Sequence, residues 1–413
     1  MPLELAIEYM AVSRHTEPPA AATVSGALAA ASLGASEYAP ADASASASGG
    51  RQRLGKHTLQ MPRLPVNASL IVYRHTSGVM ASLGEGAFTT LTRGLPPEDA
   101  QTLRTGTLEA LLRVKVADTL AIPALDWSMR VLRLVLDLLE GAAVDPAAQR
   151  CYGRAQLRSF NASDVLAHVA FHNELWSADS RWLHTHGMQK YGRPELDLVG
   201  VPMPLEDDGF AFLRDVASSL ANGAKLAAGQ EIEWEDFGAV VAIGAPVDID
   251  HQAPYGRLRL ADVPLPGARE TQEIRRLLER MALAEAVRRI ASNELPAALE
   301  ALERVLAADP DDCAALALKA RVYLRAGQPM PAMELGELMQ LRVPGDYRGP
   351  LTIGMALAAM GRNREALLAL DRAIEREPEA AESFAARAEV HALMGNDQLA
   401  SVDRARAKYL ARS

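Results

Sequence analysis

The chain has 413 residues, enough for two to three domains of ordinary size, and 49% hydrophobic residues suffice to bury real cores, which excludes a disordered chain. Acidic side chains outnumber basic ones 52 to 43, for a net charge of −9, and the excess sits in the front two-thirds; this argues against general attraction to nucleic acid or an anionic membrane. Two cysteines, Cys151 and Cys313, support neither a disulfide framework nor a cysteine zinc site, and with no basic-then-apolar leader and no apolar run of about 18 residues the expectation is a cytoplasmic protein without a membrane partner.

In chain order, Leu3, Leu5 and Ile7 alternate with Glu4 and Glu8 and predict a strand, followed by an alanine-rich helix near 19–34. The Ser/Ala/Gly-rich stretch 39–58 has no apolar periodicity and reads as a flexible segment. Residues 69–74, SLIVYR, suggest a buried strand. Between 96 and 116 a Pro-Pro-Glu-Asp start opens a helix, and Asp126 to Gly141 reads as an amphipathic helix with Asp126 as its N-cap and Gly141 as its stop. The segment 164–176, DVLAHVAFHNELW, reads as a strand or a strand-helix boundary. Another helix spans about 208–228, and residues 238–265 look like two strands around a turn. Strands mixed with helices, without a regular βαβ period, predict an α+β domain over residues 1–266.

Four of the nine histidines, His168, His172, His184 and His186, crowd one short segment. On a strand, His184 and His186 project from one face, and His168 and His172 share a face on a strand or a helix. With Asp248, Asp250 and His251 from a later acidic turn they supply enough donors for a zinc or other divalent site, and so for a metal-dependent hydrolase. The alternative is a set of half-buried imidazoles near Trp176 and Trp182. No HExxH, dinucleotide loop, Walker lysine or Gly-x-Ser-x-Gly elbow is present; Cys151 reads as packing, and the Glu206-Asp207-Asp208 run suits a helix N-terminus. The catalytic residues are unknown and no reaction is identified.

The last third repeats with a period of 34. Pro310, Pro344 and Pro378 keep it; so do Gly327, Gly361 and Gly395, with Asn293 one period earlier, and Ala298, Ala332, Ala366 and Ala400; a fourth column holds Ala286, Ala320, Gly354 and Ala388. Small residues let paired helices approach, glycines end first helices, and prolines follow second helices. Each pair alone cannot bury its apolar face, so four must stack. This pattern resembles the tetratricopeptide repeat over about 279–413, with 267–280 as a lead-in helix, so residues 267–413 are expected to form four such repeats in an all-α solenoid. Most of the family's aromatic positions are aliphatic here.

The tetratricopeptide resemblance implies a concave, partner-binding face, and its columns here include Arg280, Leu283, Val287, Ala317, Arg321, Leu324, Arg325, Arg348, Leu351 and Met355. Arginine among aliphatic side chains suits an acidic or amphipathic segment. The Lys and Asn of a carboxylate clamp are not evident. In front, Trp182 to Pro202 resembles a Trp-Leu-His-Thr-His-Gly signature of an uncharacterised bacterial domain family, which implies a defined α+β fold and no particular activity. The expectation is thus an interaction or scaffold protein that takes a protein or peptide in its repeat groove, without a cofactor unless the histidines bind a divalent metal. The alternatives are the metal-dependent hydrolase and a regulatory or immunity-type binder that uses its acidic front domain.

Overall fold

The computed structural model describes residues 4–41, 50–161, 164–234, 239–244, 257–262 and 270–411. The first part of the chain forms a seven-stranded sheet built from β1 (Glu4–Ser13), β2 (Ala35–Pro40), β3 (Arg51–Gln60), β4 (Asn67–His75), β5 (Leu108–Ala117), β6 (Ala142–Asp145) and β7 (Arg150–Tyr152). Its order is β2-β3-β4-β5-β1-β6-β7, with neighbouring strands antiparallel. Helices α1 (Ala21–Ala30), α2 (Glu85–Leu91), α3 (Pro97–Thr105) and α4 (Ala121–Leu139) connect these strands, and α5 (Arg154–Ser159) follows the last of them. Alternation puts Leu5, Ile7, Tyr9 and Ala11 of β1 into the core shared with α4, while Val12 packs on the other side with Met80, Phe88 and Leu103 near α2 and α3.

Three expectations are corrected here. Residues 51–58 belong to β3, paired on both sides with β2 and β4, and residues 35–40 form β2, so the flexible segment does not span 39–58; residues 42–49 lie outside the described part. The helix opened by Pro96-Pro97 ends at Thr105, and the rest of the stretch to 116 is β5. Gly106 sets that end, because a Cβ there would stand 2.7 Å from the Ser13 carbonyl oxygen. Helix α4 begins at Ala121, so Asp126 lies inside it, not at its cap; Pro123 falls in the first turn, where a missing N–H costs nothing. Its stop is Glu140 in the left-handed region, φ +49°, followed by Gly141 against the Val12 carbonyl.

The second sheet has six strands in the order β11-β12-β13-β10-β9-β8. They are β8 (Ala170–Ser177), β9 (Ser180–His186), β10 (Glu195–Pro202), β11 (Glu231–Trp234), β12 (Ala239–Gly244) and β13 (Arg257–Asp262), with α6 (Glu206–Ala221) after β10. The segment read as a strand or strand-helix boundary is a 3-10 turn, Val165–His168, leading into β8. The predicted strand pair is β12 and β13, antiparallel to each other; β13 runs parallel to β10. Leu183, Leu196, Leu198 and Val201 share a core with Phe212, Leu213 and Val216 of α6, and that core is continuous with the first sheet's. Between the sheets sits the 3-10 turn Met188–Tyr191, with Gly187 and Gly192 left-handed at its ends, φ +111° and +65°.

Eight helices follow among the described residues: α7 (Glu270–Ala291), α8 (Leu295–Ala308), α9 (Cys313–Arg325), α10 (Pro329–Arg342), α11 (Arg348–Ala359), α12 (Asn363–Arg376), α13 (Ala381–Leu393) and α14 (Asp397–Leu410). They form a tetratricopeptide-type helical solenoid behind the α+β region. The small-residue columns are its seams: Ala286, Ala298, Ala332, Ala366 and Ala400 are fully buried. At Gly354 a Cβ would come 2.6 Å from Leu370 Cγ. Gly327, Gly361 and Gly395 end first helices at φ +71°, +77° and +77°, and Asn293 adopts the same geometry at φ +60°.

The lead-in helix and the first repeat helix are one continuous helix, α7. Its first half gives Ile274, Leu277, Leu278 and Met281 to the front core. Its second half gives Ala282, Ala286 and Ile290 to the repeat core with α8. The expected division at 266/267 falls among residues outside the described part. No helix of the described residues is long and apolar enough to cross a membrane.

Candidate functional site

Two places collect the chemistry-bearing side chains. One is the concave face of the solenoid, where the first helices of successive repeats stand side by side. A groove of about 640 Å³ opens there. Helix α9 contributes Ala314, Ala317, Leu318 and Arg321; Tyr347 and α11 contribute Arg348, Leu351, Thr352 and Met355; α13 contributes Glu382, Ala385, Ala386 and Glu389. Leu351 and Thr352 are buried as floor, while Arg321 and Glu389 are exposed at the rim. Tyr347 Oη donates to Glu382 Oε1 at 2.6 Å, a strut from one repeat to the next, and burial together with that carboxylate pushes the phenol up to about 12. Arg348 pairs with Asp346 at 3.0 Å behind the rim.

Of the ten residues expected on this face, Ala317, Arg321, Arg348, Leu351 and Met355 line the groove. The other five do not. Leu324 packs on the seam of Ala320, Ala332 and Ala356. Arg325 Nη1 donates to the Ile290 carbonyl at 2.6 Å and so closes the end of α7. Arg280, Leu283 and Val287 stand on α7, Leu283 packing in the first repeat's core and Val287 exposed. The α13 wall was missed, although adding the period of 34 to Arg348, Leu351 and Met355 gives Glu382, Ala385 and Glu389.

Among the described residues the groove is lined by the repeats, and the described front region attaches elsewhere. Besides the shared core of α7, Arg304 of α8 holds Asp208 at the start of α6 through both carboxylate oxygens, at 2.8 and 2.9 Å. Glu206 and Asp207 stand in the same first turn of α6, where the helix dipole favours negative charge.

The histidine segment is the second place. His172 of β8 lies directly opposite His184 of β9, and their rings stack at 5.4 Å between centroids, 12° from parallel. His186 meets both edge-on, at 5.1 and 5.0 Å, and Trp182 stacks on His184 at 4.0 Å. Trp182 Nε1 donates to Asp197 Oδ1 at 2.9 Å, and His184 Nε2 stands 3.8 Å from Glu174. His168 is elsewhere, in the 3-10 turn, its ring against Phe160. Among the described residues no group of three or more His, Cys, Asp or Glu side chains is placed to hold a metal ion. The imidazoles of His172, His184 and His186 meet face and edge, as aromatic rings do in a core. Asp248, Asp250 and His251 lie outside the described residues.

The segment that holds His184 and His186 also carries Lys190, fully buried between the two sheets. Its ammonium pairs with Asp145 at the end of β6, donates to the His168 carbonyl at 2.9 Å, and faces the ring of Tyr9. Burial pulls the ammonium below its usual range while Asp145 opposes that pull. Burial and the same carboxylate raise the Tyr9 phenol and push the Cys151 thiol up to about 12, so this cysteine is no ready nucleophile.

No protein-family model and no curated protein sequence matches the chain. Among solved structures, the chain is similar to TTC0263, a thermophilic tetratricopeptide protein of Thermus thermophilus, at 29% identity over 33% of this chain and 75% of that one, TM-score 0.30. It is similar to MamA at 21% identity over 30% of this chain and 73% of that one, TM-score 0.25. A third is MamA 41-end from Desulfovibrio magneticus RS-1, at 17% identity over 34% and 81%, TM-score 0.26. Each likeness covers about a third of the chain.

Proposed function

We propose that the chain is an interaction scaffold whose groove over α9, α11 and α13 takes a segment of a partner protein. The observation that carries this reading is the groove itself: a floor of Leu351 and Thr352 with half-buried Met355 beside it and charged rims, which no described residue of the front region covers, since that region docks through α7 and α8. Apolar floor gives affinity, and fixed charges at the rim give register. The α+β region then acts as the mount of the solenoid, and the hydrolase alternative draws no support from the described residues.

The test is selection of binders from a displayed library of random dodecapeptides on the full chain, with Met355→Asp as the counter-target. Met355 is half-buried, so the variant is first checked for an unchanged thermal transition. Peptides that bind the parent and lose about tenfold or more on Met355→Asp support the groove. Peptides indifferent to the substitution place binding elsewhere and refute the reading.

A further inference from the structure

One column of the groove holds Arg321, Met355 and Glu389, each one period from the next. Arg321 and Glu389 are exposed, and among the described residues neither has an ion-pair partner, while Arg348 is balanced by Asp346 and Glu382 is tied to Tyr347. They cannot pair with each other: two helix spacings of about 8–10 Å put them roughly 16–20 Å apart. The groove therefore ends in a positive charge on α9 and a negative charge on α13, with a methionine and a leucine between.

Resting on the groove reading above, we infer that the bound segment is bipolar: an acidic residue meets Arg321, a basic residue meets Glu389, and one or two apolar side chains cover Leu351 and Met355. An extended chain rises about 3.3 Å per residue, so the two charges are about five or six residues apart. A segment of a single sign meets its own charge at one end and is disfavoured there. Uniformly acidic segments, which the arginines alone would suggest, are disfavoured at Glu389.

The experiment repeats the dodecapeptide selection on the full-length parent, on Arg321→Glu and on Glu389→Arg, both exposed sites where the fold is not at risk. The parent is expected to enrich peptides with one acid and one base about five or six residues apart, whose affinity falls about tenfold on either substitution and weakens with salt. Arg321→Glu is expected to enrich peptides basic at both ends, and Glu389→Arg peptides acidic at both ends. Peptides that depend on Met355 but carry one sign of charge, or none, or that shift less than about threefold in both variants, overturn the bipolar assignment and leave the groove standing. The absence of any Met355-dependent peptide overturns both.

Discussion

Arg304 of α8 grips Asp208 of α6 with two parallel hydrogen bonds, Nε to Oδ2 and Nη2 to Oδ1, and thereby ties the first repeat to the helix covering the second sheet. The Asp208 side chain is nearly buried and the guanidinium partly so, a geometry in which a charge-assisted fork holds orientation as well as energy. Arg304→Met is expected to cost about 1–3 kcal/mol. Hydrogen exchange checks it: protection should fall in α6, α7 and α8 and stay unchanged in α13 and α14.

Lys190 and Asp145 form a buried pair at the seam of the two sheets, so removing one partner strands the other. Lys190→Met alone is expected to destabilise by about 3–5 kcal/mol in urea unfolding, and Lys190→Met with Asp145→Leu to recover most of that. A double variant no better than the single one would show that the pair is not the unit.

His57 of β3 is buried, with the Tyr38 ring 4.8 Å away, beside a cavity of about 30 Å³ among Val24, Leu70 and Val72. Burial lowers its pKa from 6.5, since the cation loses its hydration. The unfolded chain therefore takes up a proton that the folded one refuses as pH falls through 6.5. The stability His57 supplies is present above that pH and lost on the acid side. In His57→Leu the loss of unfolding free energy between about pH 7.5 and about pH 5.5 should be smaller than in the parent.

Asn293 carries a left-handed backbone where the later repeats have glycine. Asn293→Gly is expected to be neutral or stabilising by about 0.3 kcal/mol, and Asn293→Val to cost about 1–2 kcal/mol. At Gly361 a Cβ meets nothing within 4 Å, so the cost of Gly361→Ala, about 1 kcal/mol, is conformational alone. Thermal melts of the three variants distinguish these.

The repeats were legible because a one-dimensional stack writes each contact at a fixed offset: Ala286, Ala320, Gly354 and Ala388 disclose a seam without any knowledge of what lies beyond the neighbouring helix. The sheets were less so. Residues 51–58 look structureless because β3 carries Arg51, Gln52, Arg53 and Lys56, yet pairing with β2 and β4 supplies what its side chains lack. The run Leu108–Leu112 is buried throughout, so strand alternation vanishes and a helical reading passes for it. The groove was half legible, since its floor follows from the repeat columns while its α13 wall needed the same columns carried one period further. For the histidines, spacing puts His184 and His186 on one face, but ring-to-ring packing across β8 and β9 is a matter of register.

Because α7 lends its first turns to the sheet and its last turns to the repeats, the gene offers no clean place to cut. A fragment beginning at α8 would lose Ala286 and Ile290 from under Leu302 and Val305, while one beginning at α7 would present Ile274, Leu277, Leu278 and Met281 to water as a bare apolar ridge. Either piece is expected to self-associate on expression, and the groove is best studied with its whole chassis attached.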